Sequence, residues 1–438
     1  MLELAIMIEG QDGLTWPRWQ RLAKAVEALG FAGLYRSDHF TNPEGPPTDA
    51  LDLWASLTWL ASQTERIEFG PLVSPVSFRH PVVTAWTAAA VDDLSGGRLQ
   101  LGIGAGWQAR EHETFGFDLL DLDARFARFE EGLTVIHDLL HGDRPVSFAG
   151  AFFPLKEALL LPRPARAGGP PIVIGGNGPR RTLPLVARFA DEWNAVFVPV
   201  PRFLELSAHL DGLLAAAGRS PESVRRTLMT RVVFGQKPGD IEKKLAGKSG
   251  DELRARGVVI GDAAAVTEQL TEIAAAGAQR VMLQWLELDA IDDLTALAEA
   301  AVAAELGRSP WTVRTIWRRS RDGGAAAVVP RYARCGAARG ARRTAAASGG
   351  LLAAPPPSEL GGGADLRHPG RALPARTAPP PAHGPSLVGG PGLAAATPAT
   401  PRAAAAAGDD PPRHLATGRQ GADPSRGRQP GQLADRHR

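Results

Sequence analysis

The sequence predicts an α/β fold, a (β/α)8 barrel of the TIM type, followed by a disordered Ala/Gly/Pro/Arg-rich C-terminal tail. Three observations lead to this prediction. Short apolar runs alternate with longer amphipathic segments over residues 1–306, there are eight such repeats, and residues 307–438 contain few large apolar side chains. Alternating strands and helices favour a parallel sheet covered by helices, and eight repeats in about 300 residues suit a closed barrel better than an open sheet.

The predicted strands are short apolar runs that end in polar or glycine-rich residues. Runs of this length without alternating polarity are typical of strands that are buried on both faces. In chain order they are Leu2–Ile8, Phe31–Arg36, Ile67–Val73, Leu99–Gly104, Pro171–Ile174, Trp193–Val198, Thr227–Phe234 and Arg280–Leu286.

The predicted helices follow from apolar residues at intervals of three and four and from their end signals. The first places Trp19, Leu22 and Val26 on one face and stops at Gly30. The third begins at Pro81, where the missing N–H of proline does no harm. The eight helices are Trp16–Leu29, Leu51–Gln63, Pro81–Leu94, Asp123–Leu140, Thr182–Phe189, Arg202–Ala217, Ala263–Ala276 and Ile291–Ala304. An irregular stretch over 142–170 interrupts the alternation.

The overall net charge of +2 combines two segments of opposite charge. Residues 307–438 hold 20 Arg, no Lys and 7 acidic residues, whereas residues 1–306 hold 29 basic and 40 acidic residues. A tail so poor in large apolar groups cannot offset the entropy of ordering, so we expect a low-complexity basic tail without a fold.

The tail has two competing interpretations. An Arg-rich flexible segment could bind RNA or anionic surfaces, and Trp311–Arg319 could form a short helix. The absence of lysine and the Ala/Gly/Pro/Arg bias favour a frameshift-like or nonfunctional extension. We therefore expect deletion of 307–438 to leave solubility and activity unchanged.

Composition also excludes several classes of protein. The one cysteine, Cys335, lies in the tail and allows no intramolecular disulfide, which excludes a secreted disulfide scaffold. No run of 18 apolar residues exists, and the N-terminus lacks the features of a signal peptide. We expect a cytoplasmic protein without membrane partners, whose acidic barrel does not bind nucleic acid.

Two glycine-rich turns follow predicted strands. Gly175-Gly176-Asn177-Gly178 lies between a strand and a helix, where backbone N–H groups and the helix dipole favour an anion. Arg180 and Arg181 add positive charge at the same place. An ordinary tight turn is the alternative. The turn from Gly102 to Gly106 lacks the third glycine of a dinucleotide fingerprint, but it would let a flat ring approach the backbone.

A carboxylate and an imidazole follow the second strand. Asp38 and His39 could orient a cofactor hydroxyl and shuttle a proton. The alternative is that Asp38 caps the loop and His39 packs against Trp residues. His112, between Glu111 and Glu113, suggests a metal site, but three successive residues cannot converge on one ion, so we expect a solvated loop or helix start there.

Other catalytic signatures are missing from the sequence. No His, Cys and carboxylate set has the spacing of a zinc site, and neither a Gly-x-Ser-x-Gly elbow nor a P-loop occurs. We therefore expect no metal, and the hydrolase and NTPase interpretations lose their main support.

Several motifs, in order, resemble the bacterial luciferase-like monooxygenase superfamily. They are Arg36–Phe40 after the second strand, Phe78–Pro81, Asp93–Trp107, Pro171–Gly178 and Leu185–Asn194. The similarity extends over the whole predicted barrel. Within the superfamily, the chain is most similar to the branch of oxidoreductases that use the deazaflavin coenzyme F420.

The resemblance implies an isoalloxazine-like ring across the top of the barrel. It implies a non-proline cis peptide that backs the ring, here between Leu72 and Val73, and it matches Asp38 and His39 to the catalytic pair that faces cofactor and substrate. The implied cofactor-binding residues are Leu72, Val73, Ser74, Ala105, Gly106, Trp107, Gly175, Gly176, Asn177, Gly178 and Arg180, of which the last five would hold the phosphate.

One departure from the family bears on the substrate. Sugar-phosphate dehydrogenases of the family have a glutamate where this chain has Trp107, so their proton donor has no counterpart and glucose 6-phosphate is disfavoured. A Trp wall predicts an apolar or aromatic substrate. The family also implies a homodimer.

Three functions stay open from the sequence. The first is hydride transfer between coenzyme F420 and a small organic molecule, with His39 as proton donor or acceptor and Asp38 fixing orientation. The second is an FMNH2-dependent monooxygenase that uses O2. The third is a barrel that binds a flavin-like ligand without turnover.

Overall fold

Parallel strands and their covering helices occupy residues 2–306, which are the residues that the computed structural model describes. The predicted tail over 307–438, including Trp311–Arg319 and Cys335, lies outside the described residues. The strands are β1 Glu3–Ile8, β2 Gly33–Arg36, β3 Glu68–Pro71, β4 Ser74–Pro75, β5 Leu101–Gly104, β6 Val146–Phe148, β7 Leu155–Ala158, β8 Ile172–Gly175, β9 Glu192–Val196, β10 Arg225–Phe234, β11 Val259–Gly261 and β12 Arg280–Gln284.

The helices follow the predicted pattern with three short additions. They are α1 Trp16–Ala28, α2 Leu53–Gln63, α3 Pro81–Leu94, α4 Ala109–Phe115, α5 Leu122–His141, α6 Thr182–Phe189, α7 Val200–Ala216, α8 Asp240–Leu245, α9 Gly250–Ala255, α10 Ala263–Ala275 and α11 Ile291–Leu306. Among the residues from 2 to 306, no helix is both long and apolar enough to cross a bilayer.

The barrel prediction is confirmed, because the parallel sheet closes on itself. The strand order is β3-β2-β1-β12-β10-β9-β8-β5-β4. Phe69 in β3 forms a parallel bridge with Leu99, just before β5, and this bridge joins β3 to the β5 segment at the other side of the sheet. β3 and β4 together occupy one position of the barrel, so the eight predicted strands correspond to eight positions.

Three insertions depart from simple alternation. The stretch over 142–170, which we expected to be irregular, contains the antiparallel hairpin β6–β7. Helix α4 follows β5 directly, and α8, α9 and β11 lie between β10 and α10. Each is short, and hydrophobic periodicity carries little information over six or seven residues.

Side chains that point into the barrel form three layers. The layer at the amino ends of the strands is charged: Arg280 is fully buried and donates hydrogen bonds to Glu3, Glu68 and Tyr35, with Arg225 bound to Glu3. The middle layer is apolar and consists of Ala5, Met7, Tyr35, Leu72, Val173, Met229 and Met282.

The third layer lies at the carboxyl ends of the strands and is polar. The Gln284 side chain donates to Glu9 Oε1 at 2.6 Å, and both residues are about 95% buried. Gln11 donates to the other oxygen of Glu9 at 2.9 Å. Active sites of (β/α)8 barrels lie at this end, so this layer is the floor of the candidate site.

Candidate functional site

Every residue that the sequence assigned to the site lies at the carboxyl ends of the strands. Asp38 and His39 follow β2, Ser74 begins β4, residues 105–107 follow β5, and residues 175–180 connect β8 to α6. Because all eight barrel positions run parallel, these loops meet at one end of the barrel.

Asp38 is held by groups other than His39. Its carboxylate accepts a hydrogen bond from Ser74 Oγ at 2.7 Å and is bound by both terminal nitrogens of Arg79. The Asp38 side chain is 4% exposed. A buried carboxylate that is paired on both oxygens fixes the geometry of the loop, so Asp38 does not directly orient the imidazole.

Glu111 is the residue that orients His39. His39 Nδ1 lies 2.8 Å from Glu111 Oε1, and Glu111 Oε2 accepts the backbone N–H of Phe40 at 3.1 Å. Burial by itself would lower the pKa of His39, but the hydrogen bond and the charge of Glu111, with Glu9 and Asp38, raise the pKa above its ordinary value. Among the described residues, none hydrogen-bonds His39 Nε2, which leaves that nitrogen for chemistry.

We expected a solvated loop or helix start around Glu111 and His112; the helix start is confirmed, but the solvated environment is wrong. Both residues lie on α4 and are at most 1% exposed, whereas Glu113 is exposed. His112 Nδ1 donates to the carbonyl of Gln108 at 2.7 Å, and its Nε2 lies 2.8 Å from Ser77 Oγ. Burial lowers the pKa of His112. The four-residue spacing of Gln108 and His112 is consistent with a helix, but a helix of seven residues is too short for such a pattern to predict it.

Trp107 contributes a wall beside the imidazole. Its ring meets that of His39 edge-on, with centroids 5.7 Å apart and planes at 82°. His39 therefore packs against a Trp residue, as the alternative interpretation expected, while its role in the site stays a prediction. A polar group between a carboxylate and an aromatic ring has a defined orientation.

The peptide bond between Leu72 and Val73 is cis, as the resemblance implied. The Val73 side chain points into the barrel over two neighbouring strands. A Cβ on Gly104 would lie 2.6 Å from Val73 Cγ2, and one on Gly175 would lie 3.3 Å from Val73 Cγ1. Glycine at 104 is thus required by the position of Val73, and it leaves a smooth backbone wall at the ends of β5 and β8.

The loop after β8 presents backbone N–H groups. The Asn177 side chain pairs with the backbone of Val196 in both directions, at 2.7 and 3.0 Å, and holds the loop against β9. Within residues 2–306, no acceptor bonds the backbone N–H of Asn177 or Gly178, and no side chain caps α6. Arg180 is exposed beside this loop. The arrangement can hold an anion.

Asp12 adds a titratable group that the sequence reasoning missed. It lies on the turn after β1 and is exposed to the mouth of the barrel. Partial burial of the carboxylate and the negative charge of Glu9 raise the pKa of Asp12 to about 6, while the charge of His39 lowers it. No signal in the sequence distinguished this aspartate from other loop acids.

Over the described part of the chain, no three His, Cys, Asp or Glu side chains are grouped to hold a metal ion. The polar groups at the mouth are instead suited to an organic ligand: a flat backbone wall, an amide-lined loop, and an imidazole with one nitrogen available.

Comparison with known proteins matches a family model described as luciferase-like monooxygenase to residues 6–306. An F420-dependent glucose-6-phosphate dehydrogenase of Microbacterium testaceum is 32% identical over 215 residues, which are 48% of this chain and 62% of that protein. A 4-hydroxyprotoasukamycin monooxygenase of Streptomyces nodosus subsp. asukaensis is 33% identical over 187 residues, which are 42% of this chain and 48% of that protein. The chain thus spans about half to three fifths of these relatives.

Solved structures share the fold. An F420-dependent secondary alcohol dehydrogenase in complex with an F420-acetone adduct superimposes with a TM-score of 0.58 at 17% identity, covering 68% of this chain and 98% of that one. At this identity, the likeness concerns the fold alone.

Proposed function

The chain belongs to the luciferase-like monooxygenase family, and from this premise we propose that it is an oxidoreductase that transfers hydride between coenzyme F420 and a small organic substrate. The observation that carries the proposal is the His39–Glu111 pair beside a glycine-lined wall, in a family with relatives named as F420-dependent. This combination supplies a proton-transfer group next to a surface on which a flat ring can lie.

The residues present fit such a cofactor. Leu72, Val73 and Ser74 would back the ring, and Ala105, Gly106 and Trp107 would form its other wall. The N–H groups of Asn177 and Gly178, with Gly175, Gly176 and Arg180, would bind its phosphate, because loop N–H groups without a bonded acceptor ahead of a helix favour an anion. When bound, the deazaflavin would supply the hydride chemistry.

His39 would give or take the proton at Nε2. The Nδ1 atom is engaged by Glu111, so the imidazole is fixed in orientation and Nε2 is the nitrogen left to reach a substrate oxygen. The raised pKa of His39 favours the protonated form, which suits a proton donor to the oxygen of a carbonyl substrate. Asp38 would act indirectly, because its bonds to Arg79 and Ser74 hold in place the loop that carries His39.

The substrate that we propose is apolar or aromatic where it meets Trp107. The indole lies edge-on to His39, so a substrate body against this ring would sit next to the proton-transfer group. The Microbacterium relative acts on a sugar phosphate by its name. That substrate is disfavoured for this chain, because Trp107 stands where the sugar-phosphate dehydrogenases of the family have a glutamate.

A cofactor titration tests the proposal. We expect coenzyme F420, added to the protein, to bind saturably with a change in its absorbance, and FMN to bind more weakly. His39→Gln should retain cofactor binding and lose most hydride transfer, whereas Glu113→Gln on the exposed side of α4 should change neither. Loss of cofactor binding in His39→Gln, or no binding of F420 by the wild type, would contradict the proposal.

A flavin-dependent monooxygenase is the second candidate, favoured by the Streptomyces relative. Oxygen consumption with supplied FMNH2 separates the two candidates, because reduced deazaflavin reacts poorly with oxygen. Saturable oxygen uptake that depends on an added organic substrate would support the monooxygenase. A barrel that binds either ligand, with turnover in neither assay, would indicate the non-catalytic alternative.

A further inference from the structure

Arg231 is a charged residue that points into the barrel just before β10 leaves it. Strand side chains alternate between faces, and the residues two and four positions earlier, Met229 and Thr227, face inward: Met229 belongs to the apolar middle layer, and Thr227 Oγ1 bonds Glu192. Arg231 therefore shares their face, one layer nearer to the carboxyl ends. It pairs in register with Gln284, a member of the polar floor.

The guanidinium of Arg231 is buried without a bonded acceptor. The residue is 9% exposed, and its Nε atom is inaccessible and unbonded. Within residues 2–306, no hydrogen bond from its side chain is formed and no carboxylate oxygen lies within 4.0 Å of it. Buried arginines are normally paired with acceptors, so this one has donors directed at the mouth of the barrel that the protein itself does not use.

A second cation lies near Arg231. Lys248, between α8 and α9, has its pKa lowered first by partial burial and then by the positive charge of Arg231. Burial likewise lowers the pKa of Arg231, and the charge of Glu287 acts in the opposite direction. Lys248 and Glu287 are thus charged neighbours of the Arg231 guanidinium.

The position of Arg231 separates this site from the proposed cofactor site. The cofactor walls belong to β3, β4, β5 and β8, whereas Arg231 is on β10, with β9 between β10 and β8. An anion bound by Arg231 would therefore belong to the molecule that shares the barrel mouth with the cofactor.

We propose that the substrate carries an oxyanion, a carboxylate or a phosphate, that is bound by Arg231 with Lys248 nearby. That the anion belongs to a substrate rests on the proposed function, whereas the anion site itself rests on the position of Arg231. The planar fork of an arginine matches a carboxylate or phosphate through two parallel hydrogen bonds. The substrate would thus have an apolar body against Trp107 and an anionic end at β10.

The methionines provide a probe for this site. The chain has four, and three of them, Met7, Met229 and Met282, lie in the layer directly beneath the polar floor. With ¹³C-methyl methionine, we would titrate the protein with inorganic phosphate and, separately, with acetate, using sodium chloride to hold ionic strength constant. We expect a saturable shift of the Met229 methyl signal, and the stronger of the two anions identifies the headgroup.

Arg231→Gln should weaken that binding at least tenfold, since a charge-assisted hydrogen bond is lost. Arg144→Gln is the matched control, because it removes the same charge from a side chain that is 89% exposed. Absence of a saturable shift in the wild type overturns the inference. So does an Arg231→Gln variant that binds the anion as tightly as the wild type.

Titration of both variants with coenzyme F420 separates this inference from the proposed function. We expect Arg231→Gln to bind F420 as the wild type does. If the wild type binds phosphate through Arg231 but not F420, the proposed function fails and the anion site stands. If Arg231→Gln weakens F420 binding instead, Arg231 belongs to the cofactor site and the inference fails.

Discussion

Replacement of Glu111 by Gln tests whether this carboxylate sets the charge of His39. Glu111 is 1% exposed at its side chain and accepts two N–H groups, one from His39 and one from the backbone of Phe40. Glutamine has nearly the same shape but only one acceptor oxygen, so its NH2 group must face one of the two donors. The negative charge beside the imidazole is lost as well.

The expected cost follows from these contacts and depends on pH. A hydrogen bond to a charged group contributes about 2 kcal/mol, and a neutral one about 1 kcal/mol. The pKa of His39 is raised in the folded protein, so its protonation stabilises the fold fully below the unfolded value of 6.5. That stabilisation is lost as pH rises through the higher folded value. Glu111→Gln should therefore destabilise the barrel by about 3 kcal/mol at acidic pH, where the imidazole is charged, and by about 2 kcal/mol at alkaline pH, where only the carboxylate is charged.

Two measurements check this prediction. Urea unfolding at about pH 5.5 and about pH 9 gives the difference in free energy between variant and wild type. The imidazole Cε1–H signal of His39, assigned by its loss in His39→Gln, gives the pKa, which should fall in Glu111→Gln. Glu113→Gln, on the exposed face of the same helix, should change neither quantity. An unchanged or higher His39 pKa in Glu111→Gln would refute the reasoning.

Three further substitutions, two of them with a comparison variant, have defined outcomes. Gly102→Ala would place Cβ 2.1 Å from the carbonyl oxygen of Pro71 and should cost at least 3 kcal/mol by urea unfolding, roughly the upper range for overpacking. By contrast, the Cβ of Gly212→Ala in α7 meets nothing within 4 Å, and this variant should raise stability by about 0.5–1 kcal/mol. Arg280→Met leaves the half-buried Glu3 and Glu68 and the buried Glu192 without their shared cation, and it should cost about 3–5 kcal/mol, seen as a lower thermal midpoint. Asp38→Asn should weaken the hold on Arg79 and cost about 2 kcal/mol, with a smaller loss in Asp38→Glu; an Asp38→Asn variant as stable as the wild type would show that the pair is not structural.

The strands and main helices could be predicted from the sequence because each is long enough to show its period. Strand β8 reads as Ile172–Gly175 between a proline pair and a glycine turn, and helix α5 extends only one residue beyond the predicted Asp123–Leu140 at each end. Within one helix or strand, the buried positions recur at a fixed interval, and this interval is visible as hydrophobic periodicity.

The polar contacts of the site could not be predicted in the same way. His39 and Asp38 were identified as functional, but their partners Glu111 and Arg79 come from 72 and 41 residues farther along the chain. A single sequence does not show which charged residues, far apart in the chain, come into contact in the fold. Sequence reasoning therefore expected Glu111 in a solvated loop or helix start and paired Asp38 with His39. The fold instead brings Glu111 to the imidazole and Arg79 to Asp38.

The charged layer beneath the barrel has a consequence for how the chain reaches its fold. Arg280 of the last strand binds Glu3 of the first, a separation of 277 residues, and β12 is also the neighbour of β1. Until residue 280 has been synthesised, β1 has an open edge and the acidic groups of this layer lack their main cation. Contacts of such long range form slowly, and an open strand edge favours aggregation. The pairing edge of β1 therefore stays available to other strands until the eighth barrel strand, β12, has been made.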